Sequence, residues 1–234
     1  MHSAPPVSLS WKPVLPPRRV TLRGRYVALE PLEANRHSPA LWSAVSGHDE
    51  VWTWLADGPY ATEADLRRAL LEKETSRDAV FFALVPHSSD RSGDAGSGGG
   101  AAAGYASFMR IEPAHGVIEV GNILLAPSLQ RTRAATEAMY LMASHVFDQL
   151  GYRRYEWKCN AENAPSRRAA LRLGFTFEGI FRQHMVVKDR NRDTAWFAML
   201  DSEWPARKAP LEAWLDPGNF DAEGVQKKRL QGHR

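Results

Sequence analysis

The chain has 234 residues, 44% hydrophobic and 24% charged, with a formal net charge of +3. This is ordinary globular composition, enough for one domain with extensions. A single cysteine, Cys159, excludes an internal disulfide, and the absence of an apolar run of about 18 residues argues against a membrane-spanning helix.

Residues 1–18 are polar and Pro-rich, lack an apolar signal core and read as a flexible arm, so a cytoplasmic protein is expected. Residues 20–22 and 26–29 flank Gly24 and read as a first strand region. Residues 32–45 and 62–74 have helical spacing, with Thr62 and Asp65 resembling a helix start. Between them lies an aromatic loop containing Trp52, Trp54 and Tyr60.

A β run at 80–85 precedes residues 88–104, which are almost all Ser, Gly, Asp and Ala and read as a disordered insertion. Strands are expected at 105–111 and 117–125, then a long helix over 132–150 with one apolar stripe through Ala135, Ala138, Met139, Met142 and Val146. A strand at 154–159 places Tyr155, Trp157 and Cys159 on one face and Glu156 and Lys158 on the other. A short helix at 163–173, with Asn163 as its cap, leads to strands at 175–183 and 193–200 joined by a polar turn at 188–192. The domain is expected to span 19–204. Residues 205–234 form a C-terminal extension with a possible helix near 211–215 and a frayed basic end. The mixture argues for an α+β fold around one mixed sheet.

The apolar strand at 117–125 runs through a tight turn into the strongest helix. The N–H groups and positive dipole end of a helix start can hold a phosphate there, although a plain strand-to-helix connection has the same pattern. Gln130-x-x-Arg133-x-Ala135 resembles the pyrophosphate loop Q/R-x-x-G-x-G/A of GNAT acetyltransferases. Downstream, Asn160-x-x-Asn163-x-x-Ser166 and Leu173-Gly174-Phe175-Thr176-Phe177-Glu178-Gly179 resemble the N-x-x-S and L-G-F-x-x-E-G signature of the RimJ/RimL-like branch. The resemblance covers roughly residues 22 to 204. One departure is Arg133, where the family has glycine. Its side chain either turns outward or adds a cation to the phosphates.

The resemblance implies a GNAT fold, a mixed and mostly antiparallel sheet flanked by helices. It also implies acetyl-CoA as co-substrate, with no metal, and direct attack of a primary amine on the thioester. Gln130, Arg131, Thr132, Arg133, Ala134, Ala135 and Thr136 are then expected to hold the pyrophosphate. Backbone of Ile123, Leu124 and Leu125 pairs with pantetheine, near Asn163 and Ser166. Ser166 is a candidate acid for the leaving thiolate, or an ordinary first-turn serine. Glu119 is a candidate base whose burial would raise its pKa, or a strand carboxylate paired with an arginine. His184 is the other base candidate. Trp52, Trp54, Tyr60, Asn122 and Trp157 are expected to line the acceptor site, with packing as the alternative for the aromatic residues. Cys159 has no triad partner and reads as a core thiol.

The acceptor is a small-molecule amine or a protein N-terminus, with a monomer or homodimer expected. Two other classes stay open at this point: a GNAT-fold protein that binds without catalysis, and a basic RNA-associated module.

Overall fold

The computed structural model describes residues 9–87 and 100–230. The β1 (Leu22–Arg23) and β2 (Val27–Pro31) strands form a short hairpin. The helices α1 (Ala34–Val45) and α2 (Glu63–Glu74) follow, separated by a 3₁₀ turn at Asp49–Trp52. Then come β3 (Ala79–Pro86), β4 (Gly104–Glu112), β5 (Val117–Leu125) and α3 (Arg133–Ser144). The last set is β6 (Arg154–Asn160), α4 (Ala164–Arg172), β7 (Thr176–Val187), β8 (Arg190–Leu200) and α5 (Trp204–Leu215).

The strands make one sheet in the order β1-β2-β3-β4-β5-β6-β8-β7. Among the described residues, only β5 and β6 pair in parallel, because α3 carries the chain across between them. This is the mixed, mostly antiparallel sheet expected. Register sorts its two faces. Phe82, Phe108, Val120 and Trp157 share one face, where Phe108 stacks on His145 just after α3. Phe81, Tyr105, Ser107, Glu119 and Lys158 share the other, where Lys73 of α2 lies 5.6 Å from both the Phe81 and Tyr105 rings.

The apolar stripe of α3 is buried as its spacing predicts: Ala138 and Met142 have no exposed surface. The expected helix over 132–150 is α3 plus a π turn at His145–Gln149. Thr132 and Asn163 cap α3 and α4 by accepting N–H bonds from Ala135 and Ser166 at 3.1 Å each. Glu137 of α3 reaches the first hairpin, where it accepts N–H bonds from Arg25, Tyr26 and Val27 at 2.8, 2.6 and 3.0 Å. A Cβ on Gly24 would sit 2.3 Å from that carboxylate, so the hairpin turn requires glycine. Burial holds the Glu137 carboxyl above its usual range despite the three bonds.

Several expectations change. Residues 9–18 carry no helix or strand, but they are tied down. Trp11 Nε1 donates to Ala114 O at 2.9 Å and Val14 N to Pro113 O at 3.2 Å. Of the insertion expected at 88–104, residues 88–99 lie outside the described residues, while Ala102 and Ala103 are buried and Gly104 starts β4. The C-terminal extension is not separate from the domain. Its helix starts at Trp204, not near 211, and Leu211, Trp214 and Leu215 join the core. Two prolines, Pro205 and Pro210, obscure this helix in the sequence; one occupies a first-turn position where the missing N–H costs nothing. The tail beyond it is held by Asn219, which donates to Trp214 O and Lys228 O.

Candidate active site

The parallel pairing of β5 with β6 stops at Val120↔Trp157, yet β5 continues to Leu125 and β6 to Asn160. The two strands therefore diverge. A bulge in β5 accounts for part of this. Ser107 pairs with Gly121 and Tyr105 with Leu124, so β5 carries one extra residue there, with Asn122 at φ 49°. Ser107 Oγ donates to Gly121 O at 3.0 Å and fixes the bulge. Among the described residues, no strand pairs with the β6-facing edge beyond Val120. The backbone of Ile123, Leu124 and Leu125 thus borders a wedge-shaped opening, while the Leu124 side chain is fully buried.

The turn after β5 is braced from within. Gln130 Nε2 donates to Leu125 O at 3.0 Å and Thr132 Oγ1 to Leu129 O at 2.7 Å. Arg131 takes φ 62°. Together these aim the first turn of α3, with Ala134, Ala135 and Thr136, at the opening. Arg133 settles the question left by the missing glycine. Its guanidinium carbon lies 4.7 Å from the Tyr26 ring and 4.7 Å from the Phe220 ring, so it stacks between the first hairpin and the C-terminal tail. A different cation serves the first turn. Arg172 of α4 donates to Thr136 Oγ1 at 3.2 Å and stacks on Trp214 at 4.7 Å. Burial lowers the Arg172 pKa, so the guanidinium gains from any anion brought near it.

On the α3 face, Trp157 Nε1 donates to Ser166 Oγ at 3.0 Å, while Asn163 serves as the α4 cap. Cys159 is buried, and burial pushes its thiol pKa up, against a hydrogen bond from Ser166 that works the other way. Such a thiol is a poor nucleophile, in keeping with the core reading.

On the opposite face, Glu119 is buried and held by two cations: Arg110 Nη1 at 2.7 Å and Lys158 Nζ at 3.1 Å from Oε2. Lys158 also meets Glu156 at 2.7 Å and lies 3.6 Å from the Trp196 ring centre. Arg154 joins Glu156 at 2.7 Å and Glu178 at 2.5 Å. The paired alternative for Glu119 is therefore what its geometry shows, and Lys158 is a partner that the spacing of residues does not reveal. Three cations, Arg110, Lys158 and Arg154, answer three carboxylates, Glu119, Glu156 and Glu178. Arg192 stands outside this balance. Its Nε is buried without a hydrogen-bond partner, and no carboxylate lies within ion-pair distance of it among the described residues. Burial lowers its pKa, with Cys159 and Glu119 acting to raise it.

His184 is exposed, on the irregular part of β7, with Nδ1 2.9 Å from Thr194 Oγ1. The expected acceptor wall is only partly assembled. Trp52 is buried in the core, edge-on to Tyr60 at 5.2 Å, and Trp157 is buried on the α3 face against Phe175. Both are core residues because each ring is enclosed on all sides, which residue type alone does not reveal. Trp54 is exposed, and Tyr60 donates to Asp57 Oδ2 at 2.9 Å. The turn expected at 188–192 is a two-residue one, Lys188 and Asp189, both with positive φ. Lys188 Nζ donates to Trp52 O at 3.0 Å, so the tip of the β7–β8 hairpin touches the loop between α1 and α2.

Among the described residues, no helix is long and apolar enough to cross a membrane. No group of three or more His, Cys, Asp or Glu residues there is arranged to hold a metal.

Comparison with known proteins agrees with this geometry. A model of the acetyltransferase (GNAT) domain family matches residues 27–176. A GCN5-related N-acetyltransferase from Brucella melitensis is 52% identical, with a TM-score of 0.88, covering 94% of this chain and 96% of that one. The ribosomal-protein-serine acetyltransferase of Escherichia coli K12 is 33% identical over 101 residues, 43% of this chain but only 56% of that protein's length. A Salmonella typhimurium acetyltransferase that modifies the N-terminal serine of ribosomal protein L7/L12 is 20% identical, with a TM-score of 0.63. It covers 77% of this chain and 99% of that one, and the likeness is one of fold alone.

Proposed function

The chain belongs to the acetyltransferase (GNAT) family, and on that premise we propose that it acetylates a primary amine by direct attack on acetyl-CoA. The observation that carries this reading is the wedge between β5 and β6, with a braced turn and a helix start at its edge. A pantetheine arm can pair with the backbone of residues 123–125, and the pyrophosphate can meet the N–H groups of the α3 first turn. Arg172 adds a cation there. The stacking of Arg133 against Tyr26 and Phe220 removes the steric objection that its size raises.

Attack requires an unprotonated amine, a polarised carbonyl and a proton for the thiolate. In this proposal Ser166 supplies that proton. Glu119 takes the proton of the amine through solvent, because Arg110 and Lys158 occupy the oxygen nearest them. His184 is the alternative base. Asn122, Trp54 and Tyr60 border the acceptor. Arg192 favours an acceptor that carries a carboxylate, since its buried Nε has no hydrogen-bond partner.

The RimJ/RimL-like signature and the E. coli relative support an N-terminal or small aminoacyl-type amine, acted on in the cytoplasm. The test is a panel of amines assayed with purified protein and acetyl-CoA. Saturable release of CoA with at least one amine is expected, and no turnover across the panel would defeat the proposal.

A further inference from the structure

Trp157 and Ser166 belong to different elements, β6 and α4, and meet through one hydrogen bond. The indole Nε1–H donates to Ser166 Oγ at 3.0 Å. An indole nitrogen is a donor only, whereas a hydroxyl has one proton and two accepting lone pairs. Ser166 therefore cannot turn its own proton toward Trp157. Its backbone N–H is already used by the Asn163 cap, so the hydroxyl plays no part in that bond. The Cys159 thiol beside the hydroxyl is only a weak acceptor and leaves that proton available. Trp157 cannot easily swing away, being 6% exposed with its ring centre 5.7 Å from that of Phe175. It is also the last β6 residue paired with β5, which puts this bond at the apex of the opening.

We propose that Trp157 is a positioning residue for acetyl transfer, whose N–H fixes the Ser166 hydroxyl with its proton directed at the departing sulfur. This rests on the acetyl-transfer reading above. In that step the amine nitrogen bonds to the carbonyl carbon, the C–S bond breaks and its electron pair stays on sulfur. The Ser166 proton passes to the sulfur, the proton lost by the amine passes through solvent to Glu119, and its release to solvent lets a solvent proton restore Ser166. Without the indole N–H, the hydroxyl can rotate and present a lone pair to the thiolate, which is repulsive.

Trp157→Phe keeps the aromatic bulk and removes the donor. Its kcat is expected to fall about tenfold, the scale of one hydrogen bond, with KM for acetyl-CoA unchanged. Ser166→Ala is expected to fall further, and the double variant to be no slower than Ser166→Ala alone, because both changes act on one proton. A packing role gives another pattern: a lower melting temperature, native kcat in the folded fraction, and additive effects. Native kcat in Trp157→Phe, alongside a slow Ser166→Ala, overturns the proposal and leaves the acetyl-transfer reading intact. Absence of turnover in the native protein defeats that reading instead. A second measurement depends on neither turnover nor the folding of Trp157→Phe. In ¹⁵N-labelled native protein the Trp157 indole N–H resonance should move when CoA is added, and again in Ser166→Ala. A resonance indifferent to both overturns the proposal.

Discussion

Glu178 of β7 meets Arg154 of β6 through two parallel bonds, Oε1 to Nη1 at 2.8 Å and Oε2 to Nη2 at 2.5 Å, although β8 lies between the two strands. A fork of this kind fixes orientation as well as charge. It gives the glutamate of the L-G-F-x-x-E-G signature a structural role, clamping the edge strand to the strand that borders the opening.

The pair makes stability depend on acid. The hydrogen bond from Arg154 holds the Glu178 carboxyl below its usual range. Its contribution is therefore complete above the unfolded value of about 4.3 and is lost as pH falls through the lower folded value. Urea midpoints of native protein and Glu178→Gln should differ at neutral pH and converge on acidification. The gap should stay within about 1 kcal/mol, since the site is partly exposed. A gap that persists at the acid end would show that the glutamate acts by packing.

Glu119 and Lys158 predict a separation of stability from chemistry. Lys158→Met should destabilise the protein by about 1–3 kcal/mol, because Glu119 and Glu156 lose the cation they share and keep only Arg110 and Arg154. Glu119→Gln should retain acetyl-CoA binding and lower turnover by about 100-fold. Calorimetry and steady-state kinetics on the two variants read these outcomes. Survival of turnover in Glu119→Gln would shift the base to His184.

Arg172 should govern cofactor affinity. Acetyl-CoA is expected to raise the melting temperature by mass action. Arg172→Leu should weaken acetyl-CoA binding about tenfold, the order of a hydrogen bond to a charged group. Titration calorimetry measures this directly, and equal affinities would remove Arg172 from the phosphate site.

For Arg192 the measurement is selectivity among acceptors. Amines bearing a carboxylate should outperform their amide counterparts, and Arg192→Gln should erase that preference through KM. If Arg192→Gln lowers kcat equally for both classes, its partner is the thioester carbonyl rather than the acceptor.

Much of this architecture is legible in the amino-acid sequence. The alternation of Tyr155, Trp157 and Cys159 against Glu156 and Lys158 assigns the faces of β6 correctly, since strand period depends on backbone geometry alone. Thr62 and Asn163 are caps, as local chemistry requires. Trp52 and Trp157 mislead, because whether an aromatic ring faces solvent or core is decided by distant elements. Arg192 is hidden for a related reason: a cation is recognised as unpaired only when every carboxylate around it has been placed. The divergence of β5 from β6 likewise follows from where pairing stops, which no local pattern encodes.

The bond from Lys188 to the Trp52 carbonyl joins a hairpin at one margin of the sheet to a loop between its first two helices. That tether limits how far the hairpin tip and the loop can move apart. If the proposed acceptor enters beside this tether, Lys188→Ala should loosen it and widen the range of amines acetylated in the panel.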